Sequence, residues 1–451
     1  MMPEKPTIAI VGGGISGATL AIALIRRGIN VTIYEQAHAF GEIGAGVAFS
    51  PNSVRAMQAC SPDIYNAFEK VCTTNQWPSK KNIWFEFSDS MDQNQAVGQE
   101  KHLFTLYNDT GANAVHRAHF LDELVKLVPE GVTHFKKHLD TIEQPSADSK
   151  VTLKFHDGTT AEADAVIGCD GIKARTRVWM LGDDHPGAAP VYTYKYAYRG
   201  LIPMERAVEA LGEDNAKNGK MHLGRDGHVL TFPVDHGSTM NVVAYVGSLL
   251  SYLQSTRADG DCDQRFRSTN KDWEHPKLTV PSQKEHVYED FKDFGPTVKK
   301  IIDMLEPNLD CWAIFDTGAH PMPAYNKGRF CCLGDAAHAT SPHHGAGAGI
   351  CIEDAAVMAD LLADPQVHAA GNKGLTAAFQ AFSDTRKERT QWLVQSSRRE
   401  GDLYEWRADG VGDDFEKIHQ ECKQRCETIW DGQIDDMIRE AKGSLNSILS
   451  G

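Results

Sequence analysis

At 451 residues the chain exceeds one typical hydrophobic core, so two or three domains are predicted, with enough sequence to enclose a large ligand. Hydrophobic residues at 41% and charged residues at 24% are ordinary for a globular protein in water, while 46 Lys and Arg against 61 Asp and Glu give a net charge of -15. That acidic balance argues against nucleic acid and anionic membrane surfaces as main partners. Ten cysteines are scattered without paired spacing. Cys169, Cys331, Cys332 and Cys351 sit in apolar or Gly-rich runs where a free thiol behaves as a small hydrophobe, which fits a reducing, cytoplasmic setting.

Residues 8–25 form an almost uninterrupted apolar and glycine run of the length a membrane span needs, but Gly12, Gly13, Gly14 and Gly17 break it. Few cations precede it and no signal-like cleavage site follows, so neither a signal peptide nor a membrane anchor is expected. The run reads instead as a strand at Thr7–Val11, a turn carrying Gly12, Gly14, Ser16 and Gly17, and a helix over 18–27 that ends before Gly28. A second strand over 31–34 ends at Glu35. An acid there suits the hydroxyls of a ribose that lacks a 2'-phosphate, as in FAD or NAD, and glycines in the turn let the helix start approach a pyrophosphate.

Further along, 82–87 reads as a short strand, and 165–169 reads as an apolar strand running into Asp170-Gly171. The stretch 185–300 changes texture. Alternating segments at 221–223, 228–234 and 240–246, separated by Gly-Arg-Asp-Gly and Asp-His-Gly turns, predict an antiparallel sheet able to roof a flat ring. The short strand at 82–87 is expected to join that sheet. Then comes LGDAAHATSPHHGAGAG, residues 333–349. An apolar run feeds Gly334 and Asp335, and Gly345, Gly347 and Gly349 open a helix whose free N–H groups and dipole favour an anionic ligand. From about 400 onward the chain reads as charged helices with apolar positions at Ile418, Ile429, Met437 and Ile438. Cys422 and Cys426 lie four apart there without a second pair at zinc spacing, so no metal site is expected.

Three acid and glycine turns in this order, GxGxxG, then DG, then GD, resemble the single-component flavoprotein aromatic hydroxylases. The runs IWFEF (83–87), VHRAHFLDELVKLVPEG (115–131), VIGCDGIKARTR (166–177), YAYRGLI (196–202) and GRDGHVLTFPV (224–234) look like salicylate hydroxylase and its fungal relatives that hydroxylate or dearomatise polyketide phenols. Composition and periodicity alone support only a dinucleotide-binding oxidoreductase. The resemblance implies an α/β chain with a discontinuous Rossmann-like FAD-binding domain at 1–184 and 301–400, with 76–110 expected to join the sheet of a substrate domain at 185–300. A helical segment at 401–451 completes it.

Residue by residue, the resemblance places Glu35 on the ribose and Gly12, Gly14, Ser16 and Gly17 around the pyrophosphate. Asp335 would bind the ribityl chain, with Asp170 and Gly334 in the neighbouring turns. Within the loop 41–50, Ala48 would contribute a backbone contact, and Arg117 would meet the cofactor. Gly347 and Ala348 would face the flavin edge that becomes anionic on reduction. Arg117 also reads as a helix-start ion-pair partner, and Asp170 as a simple turn former.

The implied chemistry consumes NADH or NADPH and dioxygen, forms a C4a-hydroperoxide on the flavin and hydroxylates a phenolic ring. No second GxGxxG occurs, so the nicotinamide is expected to visit transiently. A phenolate needs a cation, and Arg199 is the first candidate, with a structural arginine as the alternative. His343 and His344, after Pro342, are candidates for proton relay or substrate contact, one of the two being expected to face the pocket. His222 and His228 are weaker candidates. Phe232 stands where dearomatising relatives carry a tyrosine, and Ala112 occupies the alternative tyrosine position. This favours oxidation of salicylate to catechol with loss of carbon dioxide. A polyketide phenol is the alternative substrate, and a non-catalytic flavin-binding module is the alternative from another class. A disulfide reductase is disfavoured, because Cys60 and Cys72 are too far apart to suggest a redox pair. Oligomeric state is left open, with a homodimer compatible.

Overall fold

The computed structural model describes residues 5–41, 46–144, 146, 148–247 and 273–451. Residues 42–45 of the flavin-side loop and 248–272 of the expected substrate region lie outside the described residues. Two sheets organise the chain. The first has six strands in the order Asn326–Lys327, Phe330–Cys332, Ala165–Gly168, Thr7–Val11, Asn30–Tyr34, Thr133–His134. All pairings from Phe330–Cys332 to Thr133–His134 are parallel. Ile8, Ala9 and Ile10 are at most 1% exposed, as a parallel strand covered on both faces requires.

The Ile15–Arg26 helix follows the first strand without a side-chain cap, its first turn set by Gly14. Gly12 adopts φ +101, and a Cβ there would lie 2.4 Å from the Cys169 carbonyl oxygen. Gly17 packs still more closely, its hypothetical Cβ falling 2.0 Å from the Gly12 carbonyl oxygen. Only glycine lets the helix approach the strand this closely.

The second sheet has eight strands in the order Thr279–Gln283, Asn308–Asp316, Val191–Pro203, Thr239–Gly247, Gly227–Val234, Lys220–Gly224, Ile83–Asp89, Lys101–Tyr107. Its pairs are antiparallel except where Ile83–Asp89 runs beside Lys220–Gly224. The strand expected near 82–87 therefore does join it. Asn308–Asp316 belongs to it as well, which carries this sheet past residue 300. A 33-residue helix, Asn372–Tyr404, runs unbroken through residue 400, and the helices Phe415–Trp430 and Ile434–Ser450 pack after it. Cys422 and Cys426 are 0% and 2% exposed and serve as packing residues. Among the described residues, no helix is long and apolar enough to cross a membrane.

Candidate active site

Parallel pairing gathers the motifs that lie far apart in sequence. Gly12, Glu35, Asp170 and Gly334 each follow the C-terminal end of a strand, and those four strands are neighbours in the first sheet. Ligands of open α/β sheets bind at this edge. A cavity of about 1330 Å³ opens there, lined by Gly12, Gly14, Ser16, Glu35, Ala48, Arg117, Asp170, Asp335, Gly347 and Ala348. Single small-molecule sites hold roughly 300–1,000 Å³, so this one has room for a large cofactor and a substrate.

The donors fit a dinucleotide. The Ser16 hydroxyl is buried and lacks a hydrogen-bond partner. Glu35 closes the second strand, its Oε2 accepting from the Gly13 amide at 2.7 Å and its Oε1 from the Ala37 amide at 2.7 Å. The Gly347–Leu362 helix has no side-chain cap, so its first amides are left for a ligand. Asp170 accepts from the Thr176 amide at 3.0 Å and from the Thr176 hydroxyl, which fixes its turn. Gly17 and Gly334 do not line the cavity. They permit close packing, for a Cβ on Gly334, at φ +63, would meet the Ser16 hydroxyl oxygen at 2.7 Å.

Sequence reasoning missed what holds this cradle in place. Asp354 accepts from the Gly334 amide at 3.2 Å, lies 2.6 Å from His338 Nε2, and takes the Arg386 Nε at 2.8 Å. Beside it, Glu353 accepts from Arg386, Arg389 and Asn52. Against the opposing effect of burial, Arg389 and Arg386 keep the Glu353 carboxyl below its ordinary range, and His338 and Arg386 do the same for Asp354. An uncompensated charge here would be strongly destabilising. The signal was two adjacent acids at 353 and 354 flanked by apolar residues on both sides in the Gly347–Leu362 helix.

The opposite wall is one face of the second sheet. Strand alternation presents Asn241, Val243 and Tyr245 to the cavity, and register sets Phe232, Leu230 and His228 opposite them. Arg199 pairs in register with Val243 and lies over the Trp312 ring, 3.7 Å from its centroid. Its buried Nε lacks a hydrogen-bond partner. Burial, reinforced by Arg117, lowers its pKa to about 10, so it remains a cation at neutral pH. Burial pushes the Tyr245 phenol up to about 12, which leaves it a neutral donor. Tyr245 was not singled out from sequence, although the period-2 pattern of 240–246 puts it on the face of Val243. Phe232 lines the cavity and packs against Gly46, whose amide donates to Asn241 Oδ1 at 3.1 Å.

His222 is a correction. It alternates to the face of its strand away from the cavity, and its Nδ1 lies 2.6 Å from Glu100 Oε2 in a buried pair. Met221 borders the cavity instead. Pro342, His343 and His344 form a single turn, and both histidines border the cavity, where only one was expected to. Their surroundings differ. His343 packs against Tyr245 at 5.1 Å, with neither ring nitrogen hydrogen-bonded. His344 Nε2 lies 2.9 Å from the Ser396 hydroxyl. Burial keeps both neutral, His343 well below the ordinary histidine value and His344 at about 3.

His344, Glu400 and Cys426 have ligand-type atoms within 4.8 Å of one another. Arg425 also places a cation nearby, where it depresses the His344 pKa.

Sequence comparison agrees with this geometry. An NAD(P)-binding Rossmann-like domain family matches residues 10–53, and an FAD binding domain family matches residues 299–397. An FAD-dependent monooxygenase of Aspergillus niger is 45% identical over 465 residues, covering 100% of this chain and 99% of that protein. The chain belongs to the FAD-dependent monooxygenases. A second member, from Monascus ruber, is 45% identical over 97% of the chain and 96% of its own length. A salicylate hydroxylase of Sarocladium schorii is 37% identical over 98% and 91%.

Among solved structures, a salicylate hydroxylase in complex with substrate superposes with a TM-score of 0.80 at 31% identity, covering 97% of this chain and 98% of its own. The 2,6-dihydroxypyridine-3-hydroxylase of Arthrobacter nicotinovorans, at 18% identity and a TM-score of 0.68, shares the fold. This monooxygenase is of the aromatic hydroxylase class, and its cofactor is FAD.

Proposed function

We propose that this monooxygenase uses NADH or NADPH and dioxygen to hydroxylate a small phenolic ring, with salicylate as the first substrate. The observation that carries the reading is Arg199, a cation with an orphaned buried Nε on an apolar sheet face, beside the Tyr245 phenol. Likeness to two salicylate hydroxylases supports the choice of acid.

Bound FAD supplies the two-electron transfer and the activation of dioxygen that no side chain can provide. The chain does the rest. Glu35, Ser16, Asp170, Asp335, Ala48, Arg117, Gly347 and Ala348 line the cavity and would hold the cofactor. Arg199 fixes the substrate oxygen as an anion and keeps the ring electron-rich. Val243, Leu230 and Phe232 exclude water from the reacting face, which strengthens the electrostatic hold of Arg199. Neutral His343 leaves that cation unopposed.

A larger phenol without a carboxylate is the second reading. Phe232 in place of a tyrosine disfavours it, whereas Tyr245 brings a phenol to the same cavity from a neighbouring strand. The cofactor-binding and substrate-binding units are best divided near residue 316, because Asn308–Asp316 pairs into the second sheet.

The test is oxidation of NADH and of NADPH by the FAD-loaded enzyme, with and without salicylate. Stimulation with catechol as product supports the first reading. Stimulation only by hydroxylated aromatic ketones supports the second. Arg199→Ala should raise KM or uncouple oxidation from hydroxylation while FAD stays bound; unchanged KM and coupling would remove Arg199 from the site.

A further inference from the structure

A tryptophan of the C-terminal helices stands directly behind the cavity wall. The wall residue is Trp84, 4% exposed and bordering the cavity beside Phe85. Neighbouring residues of a strand normally face opposite ways. Here Ile83 pairs with Tyr107 and Phe85 with Leu106, so Trp84 is an extra residue without a partner in that ladder. The bulge brings both aromatic residues to the cavity, as bulges beside sites commonly do. Trp84 is then held on three sides. Phe85 meets it edge-on with ring centroids 5.6 Å apart, and a Cβ on Gly345 would lie 3.8 Å from its ring. The third side is Trp430, the last residue of the Phe415–Trp430 helix, packed edge-to-face at 5.7 Å and 64°. Trp430 is 6% exposed and does not line the cavity itself.

Two arginines fix where Trp430 sits. The last carbonyls of its helix have no partner within the helix, and cations at that end suit the helix dipole. Arg389, from the Asn372–Tyr404 helix, donates to the Thr428 carbonyl at 3.2 Å and to that of Ile429 at 2.9 Å. Arg55, from the Pro51–Cys60 helix, donates to the Trp430 carbonyl and to that of Gly432 at 2.9 Å. Arg389 also donates from Nε and Nη2 to the Glu353 carboxylate, both at 2.9 Å. The end of the Phe415–Trp430 helix is therefore registered against the Gly347–Leu362 helix that opens the cofactor cradle, and Trp430 carries that registration to Trp84.

We propose that Trp430 is a positioning residue that fixes Trp84 and so sets the largest ring system the cavity admits. The proposal rests on the phenolic reading. With the Trp430 indole behind it, Trp84 cannot retreat, and the substrate ring stops at its face. Without that indole, Trp84 turns back into the vacated space and the cavity lengthens at this end. The size limit of the substrate thus depends on a helix more than three hundred residues away in sequence from the wall it supports.

The test is equilibrium dialysis of the FAD-loaded enzyme against salicylate and phenol, each compared with its bicyclic counterpart, 1-hydroxy-2-naphthoate or 1-naphthol. In Trp430→Leu the ratio of Kd values should move at least about tenfold toward the bicyclic ligand. Trp430→Phe, which keeps a ring behind Trp84, should stay near wild type. Trp84→Phe should shift the ratio in the same direction as Trp430→Leu. The double variant Trp84→Phe with Trp430→Leu should not exceed the larger single effect, because both act through one side chain. A purely structural Trp430 would instead leave the ratio unchanged or add its effect independently. Should Trp430→Leu lose FAD, Arg55→Gln, which releases the helix end and leaves the core intact, should shift the same ratio the same way. An unchanged ratio in a variant that retains FAD, or single effects that multiply, overturns the assignment while the phenolic reading stands. If wild type binds none of these ligands, the phenolic reading fails and the size-setting role with it.

Discussion

Arg199 and Gly401 show how single residues set this site. Arg199 lies face-on over Trp312, a geometry suited to a planar guanidinium and not to an ammonium. Arg199→Lys should therefore keep the charge but lose the placement, giving a KM between those of wild type and Arg199→Ala in steady-state assays. Gly401 lies inside the Asn372–Tyr404 helix, where glycine normally costs roughly 1 kcal/mol relative to alanine. A Cβ there would meet the His343 ring at 2.5 Å. Gly401→Ala should thus lower the melting temperature and reduce turnover despite its better helix propensity; a variant that is more stable and fully active would show that the His343 position is not tightly fixed.

Glu400 offers a pH test. Burial raises its carboxyl to about 7, with Tyr404, Cys422 and Arg425 opposing. The folded state then holds a proton that the unfolded chain loses above its ordinary value of 4.5, so this group lowers stability as pH rises from about 4.5 to 7, and its effect is constant above that. Glu400→Gln should flatten that slope and stabilise the protein at neutral pH by up to about 3 kcal/mol, read from urea unfolding at several pH values.

At the scale of elements, the helix after the first strand depends on Gly17. Gly17→Ala should push the Ile15–Arg26 helix off the Gly12 carbonyl and weaken FAD retention by at least tenfold, measured as flavin released on gel filtration. Tight binding by that variant would contradict the packing argument. Local signals made these elements readable. The GxGxxG turn, the apolar run before Asp170 and the alternation of 228–234 each specify an element within a few residues. The three acid and glycine turns could be assigned to one ligand because parallel strands must align their C-terminal ends.

What escaped the sequence was long-range. Asn308–Asp316 enters the second sheet by pairing with Val191–Pro203 across more than a hundred residues, and nothing in its own pattern names that partner. His222 and Met221 differ only in which face they take, and a one-residue difference in phase moves a side chain from cavity to core. The Glu353, Asp354 and Arg386 network is set by helix packing that periodicity does not reveal. Tyr245 lies in the alternating segment 240–246, but alternation alone does not say which of its two faces meets the cavity.

In the whole molecule, the cofactor edge of one sheet faces the inner face of the other, and the cavity between them carries anion-binding amides at one side and Arg199 at the other. The long helix reaches both, contributing Arg386 to the cradle and Tyr404 to the substrate wall. A cofactor bound along the first sheet would thus present its reactive end to a ring held under the second. That juxtaposition is the physical basis for reading the chain as a hydroxylase rather than a passive flavin carrier.

The most direct measurement is turnover of the FAD-loaded enzyme under isotopically labelled dioxygen, with NADH or NADPH and a panel of salicylate and carboxylate-free phenols, followed by mass spectrometry of the product. Substrate-stimulated nicotinamide oxidation and one labelled oxygen atom on the product ring are expected. Nicotinamide oxidation that no phenol stimulates, or a product whose new oxygen comes from water, would contradict it.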